Sequence, residues 1–304
     1  MMNYAVVFPG QGSQFVGMLT DLAEIHPEIK ATFSDVSDHL HYDVWQMVQQ
    51  GPEDVLNQTE HTQVAMLTAD VALFRVLQHH KPFMPKMMAG HSLGEYAALV
   101  CAEVMSLVDA AKLVQTRGRL MQQAIPLGVG AMAAIVGLTD EQVRNICLQS
   151  SQDNEQVTPA NYNAIGQVVI AGHIAAVQRA MGLAETYQAK MARLIPVSVP
   201  CHCALLKPAA EKFADALAQT PMIPPKGTVI SNVDLSIYHS VEQIRALLQQ
   251  QLYSPVRWVE TIQMMQKAGV ETIIECGPGK VLSGLIKRVD KSLTVESAVA
   301  LRCE

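Results

Sequence analysis

Residues 88–99 read Met-Ala-Gly-His-Ser-Leu-Gly-Glu-Tyr-Ala-Ala-Leu, and this stretch predicts the fold class. Positions 90–94 match G-x-S-x-G, the nucleophile elbow, in which a serine occupies a tight turn between a strand and a helix. Because glycines turn the backbone without a Cβ clash, we expect the Ser92 hydroxyl at the N-terminus of the following helix. The helix dipole and the amide that follows Ser92 can both stabilise an oxyanion. The motif therefore predicts an α/β fold that carries a serine nucleophile.

Length and composition limit the classes of protein to which the chain can belong. With 304 residues, 49% of them hydrophobic and 16% charged, it is large enough for one α/β domain with a smaller insert. The net charge of −6 argues against a nucleic-acid-binding protein, and no apolar run is long enough to span a bilayer. The N-terminus lacks the basic region of a signal peptide, and the six cysteines show no disulfide spacing. We therefore expect a reduced, cytoplasmic protein with no membrane and no nucleic-acid partner.

The order of predicted elements divides the chain in two. Strand-like runs alternate with helical patterns in most of it, which favours a mostly parallel sheet flanked by helices. Helices are expected over about 65–79 and from Ser106 to about Gln123, and strands at 4–8, 228–232 and 271–275. Between them, strands at 131–136, 158–163, 167–171 and 193–199 with helices at 139–150 and 173–189 give the order of a ferredoxin-like unit. We predict a core from 1–127 and 199–304, and an inserted subdomain from 128–198.

Arg117 is the second informative residue, because it falls on the apolar face of its predicted helix. On a helical wheel it lies within the stripe of Ala110, Leu113, Val114 and Met121. An unpaired buried charge costs several kcal/mol, so the guanidinium must meet an anion. Two interpretations stay open from the sequence: a salt bridge to a core carboxylate, or a planar fork for a substrate carboxylate.

A serine nucleophile needs a base, and His202 is the best placed of the ten histidines. It follows a predicted strand that ends at Pro200, and sites of α/β proteins gather at the carboxyl ends of strands. Cys201-His202-Cys203 lacks the second ligand pair that a metal site requires, so we expect no metal there. Gly10-Gln11-Gly12 lacks the third glycine of a dinucleotide-binding loop.

Several further motifs, in order, give the chain a family resemblance over almost its whole length. The motifs lie at 8–14, 90–96, 115–121, 128–137, 161–163, 166–172, 197–207, 251–258 and 275–282. Together they resemble the malonyl-CoA:acyl carrier protein transacylases, bacterial acyltransferases of fatty acid synthesis. The resemblance implies an α/β-hydrolase-like core with a ferredoxin-like insert, as the order of elements also predicts.

The resemblance also implies a role for each matching residue. Ser92 would be the nucleophile and His202 its base, with the backbone carbonyl of Gln251 orienting His202. The amides of Gln11 and Leu93 would form the oxyanion hole, and Arg117 would hold the malonyl carboxylate. Other residues would line the acyl or pantetheine path, namely Met121, Met132, Asn163 and Gln167. The family commonly has serine where this chain has Cys201, which affects substrate preference rather than the reaction.

The implied activity is transfer of malonyl from malonyl-CoA to the thiol of an acyl carrier protein, through a malonyl-serine ester and without a cofactor. The carrier is typically acidic, so a basic patch is expected to receive it, and one candidate surrounds the last helix: Lys280, Lys287, Arg288 and Lys291. One alternative is a serine hydrolase, whose triad acid would be Asp109, Asp140, Glu141 or Asp153. Another is an acyltransferase of the same chemistry that serves a polyketide synthase or a malonate decarboxylase.

Overall fold

A computed structural model describes residues 3–80, 84–126, 128–197 and 199–300. Its strands are β1 (Tyr4–Phe8), β2 (Met87–Gly90), β3 (Gly130–Val136), β4 (Val157–Ala164), β5 (Gln167–His173), β6 (Met191–Ile195), β7 (Thr272–Glu275) and β8 (Thr294–Ser297). Its helices are α1 (Thr20–Ile25), α2 (Pro27–Leu40), α3 (Val44–Gln50), α4 (Glu53–Leu56), α5 (Thr59–His80), α6 (Gly94–Cys101), α7 (Leu107–Ala124), α8 (Asp140–Ser150), α9 (Ile174–Thr186), α10 (Lys207–Gln219), α11 (Val241–Gln251), α12 (Trp258–Lys267) and α13 (Val281–Val289).

The first of two four-stranded sheets is parallel, with strand order β2-β1-β7-β8. Residues 5–8 of β1 are fully buried, because helices cover both faces of a parallel sheet. Phe8 pairs with Gly90, so the loop that follows β1 and the turn that follows β2 emerge side by side. This edge of the sheet therefore brings the segment around Gln11 next to Ser92.

The second sheet is antiparallel, with strand order β4-β5-β3-β6. Together with α8 and α9, it forms the ferredoxin-like unit that the sequence predicts. Its helix-covered face buries Ile135, Val168 and Ile170, whereas its other face carries Met132 and Val169. The fold class, an α/β core with an inserted ferredoxin-like subdomain, is thus confirmed. The exact boundaries stay a prediction, since Leu127 and Ser198 lie outside the described residues.

Most predicted elements lie where the sequence places them. The helix predicted over 65–79 is part of α5, and Ser106 accepts a hydrogen bond from the amide of Asp109 as the N-cap of α7. The strand predicted at 228–232 is wrong in extent. Val229 forms only an isolated bridge with Met88 beside β2, and Ile230 turns back to bridge Ile237. Within the described ranges, no helix combines the length and the apolar character needed to cross a membrane.

The turn between β2 and α6 has no room for side chains at its two glycines. A Cβ on Gly90 would lie 1.8 Å from the carbonyl carbon of Gly94, and one on Gly94 would lie 2.0 Å from the backbone oxygen of Phe8. Ser92, between them, has a left-handed φ of 53°. The absence of side chains at both glycines thus lets the start of α6 pack directly against the end of β1. Ser92 lies in the tight turn with a strained backbone conformation.

A glycine pair tests the close packing of α7, the helix that carries Arg117. A Cβ on Gly118 would lie 2.6 Å from Cα of Glu60 in α5, whereas Gly182 in α9 has open space around it. We expect Gly118→Ala to lower the free energy of unfolding by about 1–3 kcal/mol through overpacking. The control, Gly182→Ala, should raise it by about 0.5–1 kcal/mol through helix propensity. Urea unfolding measures both, and equal stabilities would contradict the described contact between α5 and α7.

Candidate active site

The backbone of the nucleophile turn is braced by one buried amide, that of Asn232. Its Oδ1 accepts a hydrogen bond from the amide of Ser92 at 2.7 Å, and its Nδ2 donates to the backbone oxygen of Gly90 at 2.6 Å. The backbone amide of Asn232 donates in turn to Glu95 Oε1 at 3.2 Å. These bonds satisfy polar groups on both sides of the serine, so the turn keeps its left-handed conformation.

His202 contacts the Ser92 hydroxyl directly. Its Nε2 lies 2.8 Å from Ser92 Oγ, and its Nδ1 lies 2.8 Å from the backbone oxygen of Gln251. A carbonyl oxygen only accepts hydrogen bonds, so Nδ1 carries the proton and the lone pair of Nε2 faces the hydroxyl. The backbone amide of His202 donates to Leu252 at 3.1 Å, which ties the imidazole to the same turn. This arrangement suits the imidazole to remove the serine proton.

Burial and the nearby charge of Arg117 lower the pKa of His202 from 6.5 to about 3. The imidazole is only 3% exposed, and water stabilises its charged form little at that depth. His202 is therefore neutral near pH 7, the state that a general base requires.

Arg117 is 2% exposed and has only neutral partners for its hydrogen bonds. It donates to Gln63 Oε1 at 2.9 Å, to Gln251 Oε1 at 2.8 Å and to Ser92 Oγ at 3.3 Å. Within the residues that the structure describes, no carboxylate oxygen lies within 4.0 Å of the guanidinium, and its Nε has no partner. The salt bridge to a core carboxylate is therefore not formed. A buried cation with spare donors beside a nucleophile is a site for an anion.

Gln251 connects these groups through both its backbone and its side chain. Besides accepting from Arg117 and His202, it donates from Nε2 to the backbone oxygen of Ser92 at 3.0 Å and to Glu95 Oε2 at 2.5 Å. The residue is fully buried at the C-terminus of α11. One glutamine thus contacts Ser92, His202 and the guanidinium of Arg117.

A cavity of about 220 Å³ opens onto the serine between the two sheets. Its lining includes nearly all the predicted site residues: Gln11, Ser92, Leu93, Arg117, Met121, Met132, Asn163 and His202. The amides of Gln11 and Leu93 donate no hydrogen bond to any group in the described part of the chain, so both are available to an oxyanion. Cys201 also lines the cavity, and burial raises the pKa of its thiol to about 11.

Two predicted site residues do not line this cavity: Gln251, which lies behind it in contact with Ser92 and His202, and Gln167. Gln167 Oε1 accepts a hydrogen bond from Arg288 of α13 at 2.6 Å. His91, next to the serine, does line the cavity, and its Nε2 lies 2.7 Å from Asn163 Oδ1. The other predicted residues gather around Ser92, whereas Gln167 links the subdomain to the last helix.

Four buried polar residues of the site were missed by the sequence analysis: Gln63, Glu95, Asn232 and Tyr238. Gln63 accepts a hydrogen bond from Arg117, and Asn232 accepts one from the amide of Ser92. Glu95 accepts from Gln251 and from Tyr238. A polar side chain next to an apolar run is the sequence pattern that could have identified two of them. Gln63 precedes the run 64–67, and Glu95 precedes the run 96–99.

The group that faces Nδ1 of His202 argues against the catalytic triad of a serine hydrolase. A triad carboxylate would accept from Nδ1 of His202, where the structure has the Gln251 carbonyl. Asp109, one of the four candidates, accepts from the hydroxyl of Ser106 at the start of α7. Among the described residues, none of the four carboxylates takes the place of a triad acid.

Comparisons with known proteins identify relatives of the whole chain. A family model described as acyl transferase domain matches residues 5–301. The chain is 50% identical over 297 residues to the malonyl CoA-acyl carrier protein transacylase of Escherichia coli strain K12. The aligned region covers 98% of this chain and 96% of that protein. The structure is similar to an acyl carrier protein S-malonyltransferase from Vibrio cholerae, with a TM-score of 0.95, 52% identity, and coverage of 97% and 96%. It also resembles a malonyl-transacylase solved with its type II PKS acyl-carrier protein, with a TM-score of 0.95, 49% identity, and coverage of 97% and 95%.

The low pKa of His202 predicts the pH dependence of serine reactivity. Labelling of Ser92 by phenylmethanesulfonyl fluoride should keep its rate as the pH falls from about 8 to about 5, because His202 stays neutral over that range. In Arg117→Gln the positive charge is removed, so the pKa of His202 and the midpoint of the profile should rise. Intact-protein mass spectra follow the labelling, with Ser92→Ala as the unlabelled control. A wild-type midpoint near pH 6.5 would contradict the described environment of the imidazole.

Proposed function

The chain belongs to the acyl transferase family, among the malonyl-CoA:acyl carrier protein transacylases, and we propose from this premise how its site works. It transfers the malonyl group of malonyl-CoA to the thiol of an acyl carrier protein, which supplies fatty acid synthesis. The observation that carries the assignment of residues is the buried guanidinium of Arg117, which lies 3.3 Å from the hydroxyl of Ser92 without a carboxylate of its own. A malonyl ester on this serine would place its free carboxylate within reach of that cation.

In the first half-reaction, Ser92 takes the malonyl group from coenzyme A. His202 Nε2 removes the hydroxyl proton as Ser92 Oγ attacks the thioester carbonyl. The amides of Gln11 and Leu93 hold the tetrahedral oxyanion. The C–S bond then breaks, the thiolate takes the proton from the imidazolium, and coenzyme A leaves as the thiol. A malonyl-serine ester remains, with its carboxylate on Arg117.

The second half-reaction runs through the same groups in reverse. His202 removes the proton from the phosphopantetheine thiol of the carrier, and the sulfur attacks the malonyl ester. The oxyanion forms again in the same hole, the C–O bond breaks, and Ser92 recovers its proton. The mechanism uses side chains, backbone amides and two thioesters, and it calls for no cofactor.

We place the carrier on the basic residues that surround α13. Lys280, Lys287, Arg288 and Lys291 are exposed there, and Val281, Leu282 and Leu285 of the same helix line the cavity. An acidic carrier bound to this patch would lie beside the entrance through which its phosphopantetheine must pass. We also propose a cytoplasmic location, because the cysteines at 101, 147, 201, 203 and 276 are free thiols, as in a reducing compartment.

Radiolabelled malonyl-CoA tests the proposed reaction against its alternatives. With carrier protein present, the label should appear on the carrier, whereas a hydrolase would release free malonate at the same rate with or without the carrier. Carriers of fatty acid synthesis and of a type II polyketide synthase, supplied in separate reactions, distinguish the pathways. Label that appears only as malonate would overturn the transferase mechanism.

Arg117 should determine the preference for malonyl over acetyl groups. We expect Arg117→Ala to lower kcat/KM for malonyl-CoA by about a hundredfold or more, as loss of a buried partner for a charge costs about 3–5 kcal/mol. Acetyl transfer relative to malonyl transfer should rise, because an acetyl group has no carboxylate. Competition between the two thioesters measures the preference. An unchanged ratio would contradict the role given to Arg117.

The carrier patch is tested by charge reversal. Lys287→Glu with Arg288→Glu should raise the KM for carrier protein by about tenfold and leave the KM for malonyl-CoA unchanged. The matched control reverses two exposed lysines that do not line the cavity, Lys30 of α2 and Lys212 of α10. If both double variants gave the wild-type KM for the carrier, the carrier would dock elsewhere.

A further inference from the structure

Glu95 is a fully buried carboxylate directly after the nucleophile turn, and the mechanism above does not use it. Its Oε1 accepts hydrogen bonds from the Tyr238 hydroxyl at 2.6 Å and from the backbone amide of Asn232 at 3.2 Å. Its Oε2 accepts from Gln251 Nε2 at 2.5 Å. In all three hydrogen bonds the carboxyl group accepts, and such a set of bonds favours its ionised form.

The side-chain amide of Gln251 lies between this carboxylate and the guanidinium of Arg117. Its Nε2 faces Glu95, and its Oε1 accepts from Arg117 at 2.8 Å. An amide can be reversed end for end at little steric cost, so its neighbours decide which end faces which way. The Glu95 carboxylate and the backbone oxygen of Ser92 can only accept, so both bind the NH₂ end, and the guanidinium can only donate, so it binds the oxygen. Of the two acceptors only Glu95 carries a charge, which makes its hydrogen bond to the amide the stronger one.

We propose that Glu95 is a positioning residue of the transferase, which acts on Arg117 through Gln251. Its charge strengthens the hydrogen bond that holds the Gln251 amide in place, and the amide oxygen holds the guanidinium where the malonyl carboxylate arrives. The same negative charge, separated from Arg117 by the Gln251 side chain, balances the buried cation while the acyl site is empty. This inference rests on the proposed function, since it assigns Glu95 a role in recognising the malonyl carboxylate.

The arrangement couples malonyl binding to a proton. Burial raises the pKa of Glu95 to about 7, while its hydrogen bonds and the charge of Arg117 act in the opposite direction. The charged or titratable groups that face Glu95 are Arg117 of α7, Tyr238 and Tyr96. A malonyl carboxylate on Arg117 would cancel the cation's effect and raise the pKa of Glu95 further, so the protein would bind protons near pH 7. An acetyl group would not do so.

Glu95→Gln tests the positioning role. The neutral amide removes the charge that holds Gln251 Nε2 and can turn its own NH₂ towards it, so the Gln251 side chain loses its one charged acceptor. We expect kcat/KM for malonyl-CoA to fall about tenfold more than kcat/KM for acetyl-CoA. Tyr238→Phe is the matched control, because it removes one hydrogen bond to the same carboxyl group and keeps its charge; its preference for malonyl should match the wild type at pH 8. An equal loss for both thioesters in Glu95→Gln would show a merely structural role and overturn the proposal.

A second measurement uses the wild type and does not depend on how a variant folds. One equivalent of malonyl-CoA, mixed in weak buffer at pH 7 with a pH indicator, should cause proton uptake beyond that seen with acetyl-CoA. The released thiol is the same in both reactions, so its ionisation cancels. Equal proton changes would overturn the inference. Transfer of radiolabel to the carrier by the same preparation keeps the proposed function separate, since that function fails only if the carrier stays unlabelled.

Discussion

Most of the polar chemistry of this molecule is arranged around one buried cation, the guanidinium of Arg117. An isolated charge at this depth is destabilising by several kcal/mol unless hydrogen bonds compensate it. Here the compensation comes from Gln63, Gln251 and the Ser92 hydroxyl, with the Tyr96 ring 5.4 Å away. Neutral partners leave the cation able to accept a carboxylate from outside, which a salt bridge within the protein would not allow.

The same cation affects the base. The burial of His202 and the charge of Arg117 lower the pKa of the imidazole, so the proposed base is neutral near pH 7 with no triad carboxylate among the described residues. A carboxylate beside Nδ1 would raise the pKa of His202. It would also compete with the substrate carboxylate for the guanidinium of Arg117. The carbonyl of Gln251 orients the imidazole and adds no charge. The absence of an acid beside His202 in the described structure is thus consistent with recognition of an anionic acyl group.

Much of the site could be predicted from local sequence, and the remainder depends on contacts between distant segments. Gly90 and Gly94 predict the turn because only glycine fits where a Cβ atom would lie 2.0 Å or less from a backbone atom. Arg117 stands out by its place on an apolar helix face.

The hydrogen bond between Asn232 and the elbow has no local sequence signal. Asn232 lies 140 positions from Ser92, in a segment predicted as a strand that instead makes isolated bridges. Its place on a loop after a predicted strand singles out His202 among the histidines, and the resemblance then assigns it the role of base. The resemblance alone did not locate Gln167 correctly, since its side chain pairs with Arg288 outside the cavity.

The proposed mechanism requires Ser92 to carry the malonyl group between the two thioesters. The intact mass of the protein, quenched with acid within seconds of mixing with malonyl-CoA and followed by peptide mapping, shows whether it does so. We expect one malonyl adduct, located on Ser92, absent from Ser92→Ala and lost when carrier protein is added before the quench. An adduct on another residue, or carrier that becomes malonylated by Ser92→Ala at the wild-type rate, would contradict this mechanism.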